Sequence, residues 1–273
     1  MAKLEKNAVP LSMDQGISHK NIPWNQAYFS VSSLFLFLCQ ISIQMKKVVV
    51  LTGAGISAES GIRTFRDANG LWEGHDVMEV ASPQGWERNR KKVLEFYNLR
   101  RRQLKEVQPN TAHFALKELE QEYEVHIITQ NVDDLHERAG SSKVIHLHGE
   151  LKKVRSTCDE DLVLDWEDDL NEGDLCEHHS QMRPHVVWFG EEVPMMEKAI
   201  KTTSGADFLM IIGTSMQVYP AAGLVHYTRP GIPVYFIDPK PTISGKANLK
   251  VYAEKASVGV RKVVDELLEM SRT

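Results

Sequence analysis

The stretch Lys47-Val-Val-Val-Leu-Thr-Gly-Ala-Gly-Ile-Ser-Ala-Glu-Ser-Gly-Ile-Arg-Thr-Phe-Arg-Asp67 decides how the rest of the chain is read. Val48 to Leu51 is an unbroken aliphatic run, the pattern of a strand buried on both faces. Gly53 and Gly55 follow at once, and Ala58 stands at the third small position of a G-x-G-x-x-A turn. Glycine lets the backbone turn sharply and approach a pyrophosphate closely. A helix starting there would aim its free N–H groups and positive dipole end at the phosphates. Such turns are common after strands, so the glycines alone are weak evidence. The acidic residue that usually follows about twenty residues on is missing, its region being Gly70, Leu71 and Trp72.

Working outward, more apolar runs end in small or polar residues. Val125–Thr129 leads into Gln130-Asn131-Val132-Asp133, Val144 onward leads to His148-Gly149, and Phe208–Ile212 leads to Gly213-Thr214-Ser215. Pro233–Ile237 leads to Asp238. Ligands of open α/β sheets bind at the carboxyl ends of strands, so these are candidate site residues. His146 and His148 alternate onto one strand face. A structural, hydrogen-bonded histidine is the plainer reading of either one. Val186–Phe189 has strand character, and Gly190 breaks it.

Between the strands, Ala68–Val80 reads as a long loop anchored by Leu71 and Trp72. Ser82-Pro83 opens a helix. Lys91–Val107 and Thr111–Gln121 are helices with apolar faces, as is Val258–Met270 at the end. Tyr97 and Arg100, three apart, lie side by side on the first of these. Residues from about 151 to 182 are acidic and contain Cys158 and Cys176, which suggests a small inserted module. Structural zinc takes four ligands, usually two close cysteine pairs, and neither pair is intact. Zinc on Cys158 and Cys176 is therefore doubtful unless His178 or His179 completes the set, and a metal-free module held by packing is the expectation.

A chain of 273 residues, 42% hydrophobic and 25% charged, can bury a full core. A net charge of −5 gives no general attraction to nucleic acid. Three cysteines cannot build a disulfide framework, which suits a reducing, cytoplasmic location. The first 44 residues differ from the rest. Their longest strictly apolar run, Leu34–Cys39, is six residues, against roughly 20 for a membrane-spanning helix. No small-x-small cleavage site follows it. Residues 1–44 are expected to be a disordered or non-native extension, with the main folded domain at 45–270 and no membrane role.

The string Gly53–Asp67, together with Gln130–Asp133, His148-Gly149, Val187–Gly190 and Gly213–Ser215, resembles the sirtuins, the NAD-dependent protein deacylases, in order and spacing. The resemblance covers all but the extension. It implies an α/β fold, a doubly wound parallel (Rossmann-like) sheet with a small inserted module, with NAD and an acylated lysine of a protein entering between them. By the same resemblance NAD would be held by Gly53, Ala54, Gly55, Ile56, Ala58, Phe65, Arg66 and Trp72. Gln130, Asn131 and Asp133 would hold its ribose and carboxamide, and Gly213, Thr214, Ser215, Asp238 and Ala256 its adenosine half. His148 would be the general base, aided by Asn131, and Val187, Trp188, Phe189 and Gly190 would pair with the peptide as an added strand. Asp238 stands where many relatives have asparagine, so that contact accepts but cannot donate. Tyr97 and Arg100 match the Tyr-x-x-Arg pair of the desuccinylase- and demalonylase-like bacterial class III branch. A guanidinium suits an acyl chain ending in a carboxylate. A non-catalytic NAD sensor and an NAD hydrolase are the competing readings; His148 argues against the first and the peptide segment against the second.

Overall fold

The structure is a computed structural model that describes residues 45–63, 71–72, 74–242, 245 and 247–272. Phe65, Arg66 and the 44-residue extension lie outside the described residues. Strand β1 is Lys47–Thr52, and β2 (Leu71–Trp72) with β3 (His75–Asp76) forms a small hairpin. Then come β4 (Glu124–Thr129), β5 (Val144–His146), β6 (Gly149–Ser156), β7 (Val163–Asp165) and β8 (Met182–Val186). The last strands are β9 (Phe208–Ile212), β10 (Val234–Ile237) and β11 (Leu249–Tyr252). Helices are α1 (Val77–Val80), α2 (Pro83–Arg88), α3 (Arg90–Glu106), α4 (Thr111–Leu119), α5 (Leu135–Arg138), α6 (Met196–Ser204) and α7 (Ala256–Arg272).

Six strands form one sheet in the order β11-β10-β9-β1-β4-β5, and every pairing is parallel. The aliphatic run of β1 explains its central place, because both of its faces are covered. Val48 and Val50 pack with Leu116 and Leu119 of α4 and with Val260, Val263 and Leu267 of α7. Val49 and Leu51 pack on the other side with Ala199 of α6 and Leu224 of a 3₁₀ turn, Ala221–Tyr227. Helices on both faces of a parallel sheet make the doubly wound arrangement.

Local chemistry fixes the ends of these elements. The Ser82 hydroxyl accepts from the Gly85 N–H at 3.0 Å and caps α2. Asn110 caps α4 through the Ala112 N–H at 2.9 Å, and His113 Nδ1 accepts from the Asn110 N–H at 3.3 Å.

The inserted module is an antiparallel sheet of its own, β7-β6-β8. It packs on α3 through Leu151, Val154, Met182 and Trp188 against Phe96 and Tyr97. A buried polar seam joins the two: Asn98 exchanges two 2.9 Å hydrogen bonds with the backbone of Leu170, and Arg101 Nε donates to the Leu151 carbonyl at 3.1 Å. Three boundaries differ from the sequence reading. Strand β5 stops at His146, so His148 lies in the turn after it. Strand β8 stops at Val186, so Val187–Gly190 is a turn and not a strand. The segment read as a long loop contains the β2-β3 hairpin and α1, with Trp72 edge-on to Phe96 at 5.0 Å and to Tyr97 at 6.1 Å.

Candidate active site

The carboxyl ends of β1, β4, β9 and β10 bring Thr52, Thr129, Ile212 and Ile237 to one sheet edge. The chain leaves β1 for β4 on one side and returns through β9 on the other, the topological switch point where open sheets bind ligands. Three loops interlock there. Gly53 N–H donates to the Ile212 carbonyl at 3.0 Å, Gly55 N–H to Gly213 at 2.8 Å, and Gly213 N–H to Ile237 at 2.9 Å. A Cβ on Gly55 would stand 2.5 Å from Gly213 Cα, and one on Gly213, at φ +60°, 2.5 Å from the Gly55 carbonyl carbon. The glycines are thus required by the contact of two backbones. No α-helix follows β1 directly: two 3₁₀ turns, Ala54–Ile56 and Ala58–Ser60, do. The N–H groups of Gly53, Gly55, Ile56 and Ser57 are engaged inside the protein, which corrects the expectation of a helix end with free donors. Asn110 Nδ2 ties the loop down through the Ile56 carbonyl at 2.8 Å, and Glu59 meets Ser257 beside Ala256 at the start of α7.

Ser57 joins the first loop to the second. Its hydroxyl donates to Asp133 Oδ2 at 3.0 Å and accepts from Asn131 Nδ2 at 3.2 Å. Burial pushes the Asp133 carboxyl up to about 6, against the Leu135 N–H and the Ser57 hydroxyl, which pull it down. Gln130 Nε2 donates to Thr214 Oγ1 at 3.1 Å, linking the second loop to the third.

The two histidines are separated by their ring contacts. His146 Nδ1 donates to the Asn131 carbonyl at 3.1 Å and Nε2 to Glu137 Oε1 at 2.8 Å. Burial disfavours its charge, but Glu137 outweighs burial and raises its pKa. His148 Nδ1 donates to the Gln130 carbonyl at 2.9 Å, which fixes the tautomer with a lone pair on Nε2. Burial holds its pKa below the ordinary histidine value, only partly offset by that carbonyl. Burial thus disfavours the charged form of His148, whose Nε2 keeps a lone pair, whereas Glu137 favours the charged form of His146.

A model of the Sir2 family matches residues 53–220, beginning on the first glycine of the β1 loop. The chain belongs to the Sir2 family. It is 58% identical over 228 residues to an "NAD-dependent protein deacylase" of Helicobacter pylori (strain ATCC 700392 / 26695), covering 83% of this chain and 100% of that protein. It is 50% identical over 232 residues to one of the same name from Bacteroides thetaiotaomicron, covering 82% and 99%. A solved Sir2 homolog–NAD complex superposes with a TM-score of 0.75 at 37% identity, over 86% of this chain and 94% of that one. A Sir2 structure bound to acetylated peptide gives 0.68 at 29% identity, over 86% and 97%.

In this sirtuin the residues around Val187–Gly190 are held by a charge cluster that the sequence reading missed. The Glu191 carboxylate accepts from Arg183 Nη1 at 2.6 Å, Arg155 Nη2 at 3.2 Å and the Trp188 N–H at 2.8 Å. Burial pushes this carboxyl up, but Arg183, the Trp188 N–H and Arg155 outweigh it and hold it below the usual range. Val187 N–H donates to the His148 carbonyl and Phe189 N–H to Ala81, both at 2.9 Å. The N–H groups of Val187, Trp188 and Phe189 are thus all engaged internally. A signal was present: opposite charges at Arg183 and Glu191 bracket the apolar run. Ser57 lay unmarked inside the quoted loop.

The remaining expected residues divide. Trp188 is core, 2% exposed, and its indole N–H donates to the Tyr97 hydroxyl at 2.9 Å. Tyr97 is buried beside it, and burial pushes its phenol up. Arg100, one turn on, lies over the Phe96 ring at 3.9 Å and donates to the Phe96 carbonyl at 2.7 Å. Asp238 is buried at the β10 end, its Oδ1 accepting from the Lys240 N–H at 2.8 Å. Cys158 and Cys176 are brought together as free thiols on either side of Ser156, and His178 and His179 do not join them in a metal-binding group among the described residues.

Proposed function

We propose that the protein is an NAD-dependent protein-lysine deacylase in which His148 is the general base. The observation that carries this reading is the His148 ring with its Nδ1–H on the Gln130 carbonyl, its Nε2 lone pair left to take a proton and its charged form disfavoured by burial. Relatives named as NAD-dependent protein deacylases at 50–58% identity, and the Sir2 homolog–NAD complex, support it. The residues fit a dinucleotide: interlocked glycine backbones, a buried Asp133–Ser57–Asn131 cluster and polar strand ends lie along one edge. NAD bound there supplies the ribose carbon that receives the acyl group as nicotinamide leaves, giving O-acyl-ADP-ribose.

The chain's own groups have distinct tasks in this reading. Gly53–Ala58 and Trp72 would hold the pyrophosphate and nicotinamide ribose, a task that the family resemblance also gives to Phe65 and Arg66, which lie outside the described residues. Gln130, Asn131 and Asp133 orient ribose and carboxamide, and Ser57 fixes two of those side chains. Gly213, Thr214, Ser215, Asp238 and Ala256 take the adenosine half. His148 deprotonates a ribose hydroxyl. Val187–Gly190 receives the acyl-lysine peptide through its carbonyls. Tyr97 and Arg100 select acyl groups ending in a carboxylate, succinyl and malonyl, alongside acetyl. The Tyr97 oxygen already accepts from Trp188, so its own proton remains to donate. The catalytic unit is residues 45–270, working in the cytosol on proteins.

The test is mass spectrometry of products from NAD and a panel of acetyl, succinyl and malonyl peptides. Expected products are deacylated peptide, nicotinamide and O-acyl-ADP-ribose, with turnover lost in a folded His148→Ala variant. Free ADP-ribose with intact peptide would instead make the protein an NAD hydrolase, and no consumption of NAD would make it a sensor.

A further inference from the structure

The inserted module holds two thiols that the reaction does not use. Cys158 lies two residues beyond the end of β6, and Cys176 lies on the segment that leads into β8. The Ser156 hydroxyl meets both sulfurs, Cys158 Sγ at 3.3 Å and Cys176 Sγ at 3.2 Å, and accepts the Cys158 N–H at 3.2 Å. The two positions are held by backbone. Cys176 N–H donates to Ser180 at 2.8 Å, its carbonyl accepts from His179 at 2.9 Å, Leu175 bridges Gln181, and Thr157 N–H donates to Gln181 at 3.1 Å. Both sulfurs are therefore fixed within reach of one oxygen. Their exposure differs, since Cys158 is exposed and Cys176 is buried. Exposure sets the order of access: a hydroperoxide reaches Cys158 before Cys176.

We propose that Cys158 and Cys176 are an oxidative modification site that closes to an intramolecular disulfide under hydroperoxides. The Cys158 sulfur attacks the peroxide, breaking its O–O bond and giving a sulfenic acid and one water or alcohol. The Cys176 sulfur then attacks that sulfenic sulfur, forming the S–S bond and releasing a second water. Two thiols lose two hydrogens and two electrons, and the peroxide takes them. Closing to the roughly 2 Å of a disulfide requires both sulfurs to leave Ser156, and a cellular dithiol reverses the step by exchange. The site stands independently of the deacylase reading, because none of its contacts includes a residue of the sheet edge.

The test uses the reduced, full-length protein treated with hydrogen peroxide, alkylated and digested. The expected result is a Cys158–Cys176 cross-linked peptide, a mass lower by two hydrogens, and return of both thiols after dithiothreitol. Cys176→Ser should leave Cys158 carrying added oxygens instead. The proposal is overturned if wild-type Cys158 gains oxygens while Cys176 stays alkylatable, if either cysteine pairs with Cys39, or if the untreated protein carries one zinc per chain held by these two cysteines.

Discussion

Which of the two histidines at the end of β5 and in the turn after it can take a proton is set by what their far ring nitrogens meet. Both point Nδ1 at a carbonyl of the β4 loop, His146 at Asn131 and His148 at Gln130. Only His146 also has Glu137, which outweighs burial and raises its pKa. His148→Ala should therefore lower kcat by about 10²–10⁴-fold, the usual worth of a general base, while melting near the wild-type temperature. His146→Ala should act mainly on stability. Unchanged turnover in the first variant would remove the role. At Arg100 the prediction separates substrates. Arg100→Met should lower kcat/KM for a succinyl peptide by about 10²-fold, from loss of a charge-assisted bond of ~3 kcal/mol. Deacetylation should fall much less, and equal losses would mean that the arginine only packs on Phe96. The sequence made His148, Asn131 and Asp133 legible because each follows a strong apolar run. Ser57 was not, because its importance is its position between two loops that lie more than seventy residues apart in the chain.

At the scale of elements, the join between β5 and β6 is the tightest point. Gly149 has φ +79°, and a Cβ there would stand 2.1 Å from the His185 carbonyl oxygen. Left-handed backbone alone costs a non-glycine residue about 1–2 kcal/mol, and here a backbone atom blocks the space. Gly149→Ala should lower stability by more than ~4 kcal/mol in denaturant titration. A change under ~1 kcal/mol would mean that β8 can yield at His185. The next turn depends on Glu191. Glu191→Gln removes the charge shared by Arg155 and Arg183 and should loosen Val187–Phe189. The peptide KM should rise roughly tenfold, a loss of about 1.4 kcal/mol, with the KM for NAD little changed. Equal rises in both would show general unfolding instead. Elements with long runs, β1, β4, β9 and β10, were readable almost to the residue. β7 and β11 were not, because they are short and half-exposed, and β6 and β8 were not, because charged and polar residues interrupt their apolar positions; the pairing of all four is decided by distant partners.

For the whole molecule, buried titratable groups set the response to acid. His113 is fully buried against His136, rings 4.9 Å apart, and burial lowers His113 to about 4. His136 is also held well below its ordinary value, by burial and by the charges of His113 and His146. Groups depressed in the folded state contribute stability above their unfolded pKa of about 6.5 and lose it as pH falls through the folded value. Asp133 acts in reverse: its folded pKa is raised to about 6, so its contribution grows as pH falls from there toward its unfolded value. The melting temperature should therefore drop between about pH 6.5 and pH 4, softened by Asp133 in the lower part of that window. His113→Gln should flatten the slope by on the order of 3 kcal/mol at the acid end. A wild-type melting temperature that is flat across the window would show that neither ring stays neutral.

The neck of the inserted module has a further consequence. His148 and Val187 are joined by one hydrogen bond, Gly149 pairs with Val186, and the whole module hangs beyond that point. His148 and the turn after β8 are consecutive stitches of a single seam, and the far tip, with exposed Glu172 and Gly173, is many residues removed from it. A change at the exposed tip therefore leaves the hydrogen bonds of the seam in place, whereas a change at the neck does not. For an engineer the same separation marks exposed Glu172, rather than Gly173 with its φ of +95° and its N–H bonded to Gln181, as the place to attach a reporter away from the neck.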